Sequence, residues 1–177
     1  MRLGLLVAST VVLVSQISFA QSDATIQKNV EKALGAYSIT SISVFVQGGG
    51  VTLTGTVDRY STKIRADQLT AGVPGTKSIL DRVQVAGPNV PDGELSEQIK
   101  KLIKDQIRRL GGFGNGSISV SVKNGVVTLN GYATPQLTDS IVGFASYMPG
   151  VKNLINKIVS QDPHWLPGDN TGISRNN

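Results

Sequence analysis

The sequence of 177 residues contains no cysteine and a single histidine, and these absences exclude several kinds of chemistry. Without cysteine there is no disulfide framework, no thiolate metal site, no cysteine nucleophile and no lipid attached to an N-terminal cysteine. The one histidine, His164, cannot form a metal site that needs several imidazoles, and its proline-containing surroundings do not suit a catalytic base. We therefore expect neither a metal nor a cofactor.

Aromatic and charged residues are also scarce, at 5% and 16% of the chain. The 40% of apolar residues still suffices for a folded core, so the composition is not that of a disordered chain. The net charge of +5 is moderate, and it is compatible with binding to anionic lipid, with binding to nucleic acid, or with solubility alone.

The N-terminal residues 1–20 have the features of an export signal. Arg2 gives a positive start, residues 3–14 are almost wholly apolar, and Ser18-Phe19-Ala20 is a small-x-small pattern that signal peptidase accepts. The apolar run is shorter than the roughly 20 residues of a transmembrane helix, so a retained anchor is the less favoured alternative. We predict cleavage after Ala20 and a periplasmic protein that associates peripherally with membrane, a location that argues against nucleic acid as partner.

An internal repeat organises the rest of the chain. Residues 51–55 (VTLTG) correspond to residues 127–131 (VTLNG) at an offset of 76, and alternating apolar residues precede both segments. With one deletion, residues 73–77 also fall on residues 148–152. Two copies of one small domain explain this shared order.

Each copy predicts the same succession of elements. Apolar residues recur at helical spacing over residues 25–36 and 94–110, and strict alternation follows each helix. Gly48-Gly49 and Asn124-Gly125 are favoured pairs for two-residue hairpin turns. A second helix and a final strand complete each copy. The fold class is therefore α+β, with two tandem domains, each an α-β-β-α-β unit in which a three-stranded mixed sheet carries two helices on one face.

Glycine and proline mark the ends of several elements. Gly55 and Gly131 are predicted to end the second strands, at a bulge or a close approach of a helix. Pro74-Gly75 and Pro149-Gly150 are predicted to terminate the second helices. Helical spacing also places Phe144 on the core face of its helix.

The predicted boundaries follow from these elements. They are a signal peptide at 1–20, a first domain at 25–86, a linker at 87–93, a second domain at 94–160 and a flexible tail at 161–177. Trp165 either pins this tail to a domain or is exposed.

The pattern resembles the BON domain. In the first copy the resemblance rests on residues 51–57 (VTLTGTV), 73–75 (VPG) and 77–83, and in the second on residues 125–131 (GVVTLNG) and 148–152. It implies an envelope protein of the osmotically inducible, dual-BON type, which binds phospholipid membranes and supports envelope integrity. The implied partners are anionic phospholipid or outer-membrane components, and some members of the family are described as periplasmic chaperones that would meet unfolded or outer-membrane proteins.

We find no motif for catalysis, and we predict that the protein is not an enzyme and takes no small-molecule substrate. No serine lies in a G-x-S-x-G motif. The glycine-rich residues 111–116 follow a helix and precede a strand, which is the reverse of a phosphate-binding loop. The acidic residues form no pair that recurs at matching positions with a visible partner.

The candidate site is the first helix of the second copy. Five basic residues crowd into ten positions, followed by two apolar residues: Lys100, Lys101, Lys104, Arg108, Arg109, Leu110 and Phe113. One interpretation is a solvated face that obeys the helix dipole, with acids in the first turn and bases in the last. The other is a surface that binds anionic head groups while Leu110 and Phe113 enter the interface.

A second hypothesis is a holdase chaperone that uses exposed apolar residues, and a third is a module that docks on an outer-membrane assembly. The candidate residues for the holdase are Phe45, Phe113 and the tail around Trp165.

Overall fold

The computed structural model describes residues 22–110 and 117–160. The predicted signal peptide, Phe113 and the tail with His164 and Trp165 lie outside the described residues. The helices are α1 (Asp23–Ala36), α2 (Tyr60–Ala71), α3 (Asp92–Arg109) and α4 (Pro135–Ser146), and the strands are β1 (Ile42–Gln47), β2 (Gly50–Val57), β3 (Ser78–Val85), β4 (Ile118–Lys123), β5 (Val126–Ala133) and β6 (Asn153–Ser160). We refer to α1–β3 as the first domain and to α3–β6 as the second domain.

Each domain contains one mixed three-stranded sheet, as the sequence predicts. The first two strands form an antiparallel hairpin, and the third strand pairs parallel to the second. The two central residues of each hairpin turn have positive φ, at 60° and 83° in the first domain and 53° and 76° in the second. Val46 therefore pairs with Val51, and Val122 with Val127, which is the register that a two-residue turn sets.

The two helices of each domain cover one face of its sheet and enclose a separate apolar core. Three residues of α1 are buried there, and three residues of α3 occupy the same positions 69 residues later: Ile26, Val30, Leu34, Leu95, Ile99 and Ile103. The strands that follow are 76 residues apart, so the second domain is seven residues longer between its first helix and its first strand.

The structure corrects the predicted role of Gly55 and Gly131. Both lie inside strands, which continue to Val57 and Ala133, and their φ angles are 137° and 131°. A Cβ atom at Gly55 would overlap the carbonyl oxygen of Ser41, just before β1, and Gly131 meets the equivalent oxygen in the second domain. The close approach is therefore made by backbone and not by a helix.

The Pro-Gly pairs follow the second helices closely. α2 ends at Ala71 and α4 at Ser146, so Pro74-Gly75 and Pro149-Gly150 lie in the turns just beyond the helices, where a proline prevents the helix from continuing. Phe144 is 48% exposed, because its neighbours on α4 fill the core positions.

α3 begins at Asp92, within the predicted linker 87–93. Val90 packs against the core of the second domain, and so does Tyr60 from the start of α2. The two domains therefore meet through α2 and the connecting segment.

Candidate functional site

α3 presents the candidate basic residues on the outside of the second domain. Leu95, Ile99 and Ile103 recur every four residues and are buried, which fixes the opposite side of the helix towards solvent. Asp92 and Glu94 lie in the first turn, and Arg108 and Arg109 in the last, so the charges follow the helix dipole.

α3 has 18 residues, whereas α1 has 14, and the difference is one additional C-terminal turn. This turn is fixed to the fold by Gln106, which is buried and accepts a hydrogen bond at 2.8 Å from the Ser140 hydroxyl of α4. Ile107 packs against the core beside it. The structure thus holds Arg108 and Arg109 at a defined place beyond the length of the first-domain helix.

The five predicted basic residues are all exposed, but they do not form one cluster. Lys101, Lys104 and Arg108 lie at i, i+3 and i+7, so they follow one stripe opposite the buried face, and we refer to these three residues as the basic stripe. Lys100 and Arg109 lie on the two flanks of this stripe.

Acidic residues of α3 neutralise part of the positive charge of this helix. Lys100 forms an ion pair with Glu97 at 2.7 Å, and the bond and charge of Lys100 lower the pKa of Glu97. Arg108 approaches Asp105 at 3.6 Å, with the Arg108 side chain 81% exposed. In the described part of the chain, Lys101, Lys104 and Arg109 have no ion-pair partner.

Leu110 follows the last turn and is 41% exposed. Its backbone N–H donates to the carbonyl oxygen of Gln106 at 3.0 Å, so an apolar side chain is held beside Arg108 and Arg109. Phe113, the other apolar residue of the predicted site, lies outside the described residues.

A pair of aspartates that sequence reasoning missed fixes the start of each first helix. Asp92 accepts backbone hydrogen bonds from Asn124 (2.7 Å) and Gly125 (3.0 Å) of the hairpin turn, and these bonds lower the pKa of Asp92. Asp23 accepts the equivalent bonds from Gly48 and Gly49 at 2.7 and 2.9 Å. The two residues are 69 positions apart, so the 76-residue offset that aligns the strands does not bring them together.

Two further surfaces expose apolar side chains. The outer face of the first sheet carries Phe45 and Leu80 on either side of Thr52, with 60% of Phe45 exposed. The outer face of the second sheet exposes Tyr132, Ile155 and Val159.

A groove of about 700 Å³ runs between α2 and α4. The Arg65 guanidinium lies on one wall, 4.3 Å from the centre of the Tyr37 ring, and the exposed side chain of Tyr147 also lines the groove.

Across residues 22–110 and 117–160, His, Asp and Glu side chains nowhere converge in threes as metal ligands. No helix within those ranges combines the length and the apolar character needed to cross a bilayer.

Comparison with known proteins places these features in a family. The BON domain matches residues 22–87 and 94–162. A protein of Anaplasma centrale, described as an uncharacterized protein in the gshII 5' region, is 29% identical over 140 residues, which cover 77% of this chain and 93% of that protein.

Among solved structures, CdsD, a structural protein of the type III secretion system of Chlamydia trachomatis, aligns at 13% identity. The alignment covers 77% of this chain and 92% of the CdsD chain with a TM-score of 0.30, and this low score supports no conclusion about the chain. The two matched segments, each with the same α-β-β-α-β unit, establish that the chain belongs to the BON domain family, whose members are in general non-enzymatic modules known for phospholipid binding.

Proposed function

We propose that this protein binds anionic phospholipid surfaces through α3 of its second domain and supports the integrity of the bacterial envelope. The observation that carries the proposal is the basic stripe, which faces solvent and continues into a turn that ends in the exposed Leu110. Each Lys or Arg near an anionic bilayer contributes on the order of 1 kcal/mol, so several residues on one helix face act together.

The first domain lacks this arrangement. α1 carries Lys28 and Lys32, with Glu31 between them in sequence, and it ends one turn earlier than α3. We therefore assign membrane contact to the second domain, with Leu110 entering the head-group region beside the bases.

Vesicle co-sedimentation tests this proposal. The full chain is mixed with phosphatidylcholine vesicles, with and without phosphatidylglycerol, and we expect recovery in the pellet only with the anionic lipid. Reversing the charge of the basic stripe (Lys101→Glu, Lys104→Glu, Arg108→Glu) is expected to abolish the binding.

The matched control reverses Lys28 and Lys32 of α1 and is expected to bind as the parent chain does. Equal recovery with neutral and anionic vesicles would contradict the proposal, and so would full binding by the stripe variant.

The cellular part of the proposal is a periplasmic location, with cleavage after Ala20, and a role in osmotic or envelope stress. The support is the apolar N-terminal run in the sequence. The mass of the protein recovered from a periplasmic fraction tests it, because cleavage leaves Gln21 as the first residue. A mass that includes residues 1–20 would contradict it.

The second candidate function is a holdase chaperone or a protein-interaction module, and the exposed Phe45 and Leu80 favour it. A holdase would suppress the aggregation of an unfolded client, and Phe45→Ser with Leu80→Ser would weaken this effect while charge reversal on α3 would not. Capture of an outer-membrane protein that persists after detergent removes lipid would indicate the interaction module.

A further inference from the structure

A cluster of three charged side chains joins α2 to β3 in the first domain. The Lys63 ammonium lies 3.0 Å from Oδ2 of Asp81 and donates a hydrogen bond at 2.6 Å to the carbonyl oxygen of Val83. The other Asp81 oxygen, Oδ1, accepts a hydrogen bond at 2.8 Å from the Val83 amide. The side chains of Lys63 and Asp81 are 23% and 18% exposed, so water screens this contact only partly.

Asp67 lies one turn after Lys63 on α2 and faces the same Asp81 carboxylate. Its Oδ1 atom is buried and has no hydrogen-bond partner in the described part of the chain. Burial and the neighbouring Asp81 raise the pKa of Asp67 to about 6, although Lys63 opposes the shift. A proton on Asp67 would let this side chain donate to Asp81, which makes the contact attractive.

The second domain provides an internal comparison, because the equivalent helix and strand lie 75 residues later. Thr138, Val142 and Asn156 stand there in place of Lys63, Asp67 and Asp81. Oδ1 of Asn156 accepts a hydrogen bond at 3.0 Å from the Ile158 amide, as Asp81 does from Val83. The second domain keeps this backbone contact without any charge, so the charged cluster is an addition to the fold and not a requirement of it.

We propose that Lys63, Asp67 and Asp81 form a proton-dependent lock that fastens α2 to β3 when Asp67 holds a proton and loosens when that proton is lost. The charged groups that act on Asp67 are Asp81 from β3 and Lys63 from its own helix. α1 and β2 also pack against α2, but among the described residues they bring no charge that shifts the pKa of Asp67. α2 also contacts α4, so the lock acts on the helix that meets the second domain.

The direction of the pH effect follows from the raised pKa. Between the ordinary value of 3.8 and about 6, the folded chain holds more protons on Asp67 than the unfolded chain does. The stability of the first domain therefore falls as the pH rises through this interval and changes no further above it. The second domain has no such group at the equivalent positions.

Hydrogen exchange of the full chain, corrected for the intrinsic exchange rate, tests the lock. We expect protection of the α2 amides to be roughly three- to tenfold lower at about pH 7.5 than at about pH 5, while the α4 amides change little. Asp67→Asn mimics the protonated state, because its amide can donate to Asp81, and this variant is expected to lose the pH dependence of α2.

The matched control is Asp139→Asn, which removes an exposed carboxylate from α4 and should leave the pH dependence of α2 intact. Titration of the Asp67 carboxyl carbon by NMR in the unmodified chain is a second measurement that needs no variant. A midpoint near the ordinary 3.8, or α2 protection that is independent of pH, would overturn the proposal.

Discussion

The backbone conformation of Gly131 excludes every residue that carries a side chain from this position. Its φ of 131° is strained for any residue with a side chain, and a Cβ atom would overlap the carbonyl oxygen of Ser117. We expect Gly131→Ala to lower the free energy of unfolding by about 1–3 kcal/mol from backbone strain, with a further loss from the displaced strand. Chemical denaturation monitored by circular dichroism measures this loss.

Gly143→Ala is the matched control for Gly131→Ala. Gly143 is an exposed glycine within α4, and a Cβ atom there meets open space. Alanine is the better helix former, so this substitution should raise the free energy of unfolding by about 0.5–1 kcal/mol. Equal effects of the two substitutions would contradict the role that we assign to Gly131.

Asp92 connects the start of α3 to the β4–β5 turn. Replacing Asp92 with alanine removes the acceptor of two backbone N–H groups, so we expect faster exchange of the Asn124 and Gly125 amides and a lower melting temperature. Glu94→Gln, which removes a charge from the same turn of the helix without touching the hairpin, should leave both measurements nearly unchanged.

The contribution of Asp92 to the stability of the fold decreases at low pH. Its pKa is lowered in the folded chain, so its stabilising effect is complete above the ordinary value of 3.8 and is lost as the pH falls through the lower folded value. The difference in melting temperature between Asp92→Ala and the unmodified chain should therefore shrink only below about pH 4. A difference that already vanishes at neutral pH would contradict this assignment.

At the scale of residues, the sequence predicts those features that depend on neighbouring residues alone. The Asn124-Gly125 turn follows from its own positive-φ preference. Thr134 caps α4 by accepting a hydrogen bond from the Leu137 amide, and Pro135 occupies the first position of the helix, where proline is tolerated. The burial of Asp67 beside Asp81 depends on a helix and a strand that meet only in the folded domain, so spacing alone does not predict it.

At the scale of elements, the last turn of α3 depends on a contact from α4. Ser140→Ala would leave the buried Oε1 of Gln106 without its hydrogen bond, at a cost of about 1–3 kcal/mol. We expect this turn to fray and Arg108 to lose its fixed position, which should weaken binding to anionic vesicles. Hydrogen exchange in residues 105–109 measures the fraying.

The control for Ser140→Ala is Ser119→Ala on the exposed side of β4, where the hydroxyl makes only a 3.4 Å contact. This substitution should leave both the exchange of α3 and the binding of vesicles unchanged. Slow exchange in the last turn of α3 in the Ser140→Ala chain would indicate that Ile107 alone holds the turn.

Element types could be predicted, whereas element ends could not. The alternation of Val44 and Val46 with polar residues determines a strand, because one face must be buried. α2 ends at Ala71, three residues before Pro74, so the proline locates the end of the helix only to within one turn. The placement of Phe144 on the core face was wrong, since adjacent apolar positions on α4 compete for the same face.

At the scale of the whole molecule, the two separate cores allow the domains to be perturbed independently. Leu53 and Leu129 are fully buried at equivalent positions, and their replacement by alanine should cost about 2–5 kcal/mol in the domain concerned. We expect Leu129→Ala to lose vesicle binding at temperatures at which the Leu53→Ala chain still binds. Co-sedimentation over a temperature series measures this difference.

The Leu53→Ala chain also tests how strongly the domains are coupled. Tyr60 of α2 packs against the core of the second domain, so unfolding of the first domain should lower the melting temperature of the second slightly. Parallel loss of binding in the two variants would show that the domains unfold as one unit and would contradict the independence of the two cores.

The second domain has seven additional residues before β4, and each domain nevertheless keeps its core. The chain length at this position can therefore change without disturbing the fold. The equivalent segment of the first domain, residues 37–41, is therefore a natural grafting position. Transplanting the longer segment there would give the first domain a copy of Arg108, Arg109 and Leu110, the part of the proposed lipid-binding surface that lies beyond the equivalent length of α1. Two linked contacts bind a surface far more tightly than either alone, so under the proposed function this chain would act as a bivalent tether and should bind anionic vesicles more tightly than the parent chain.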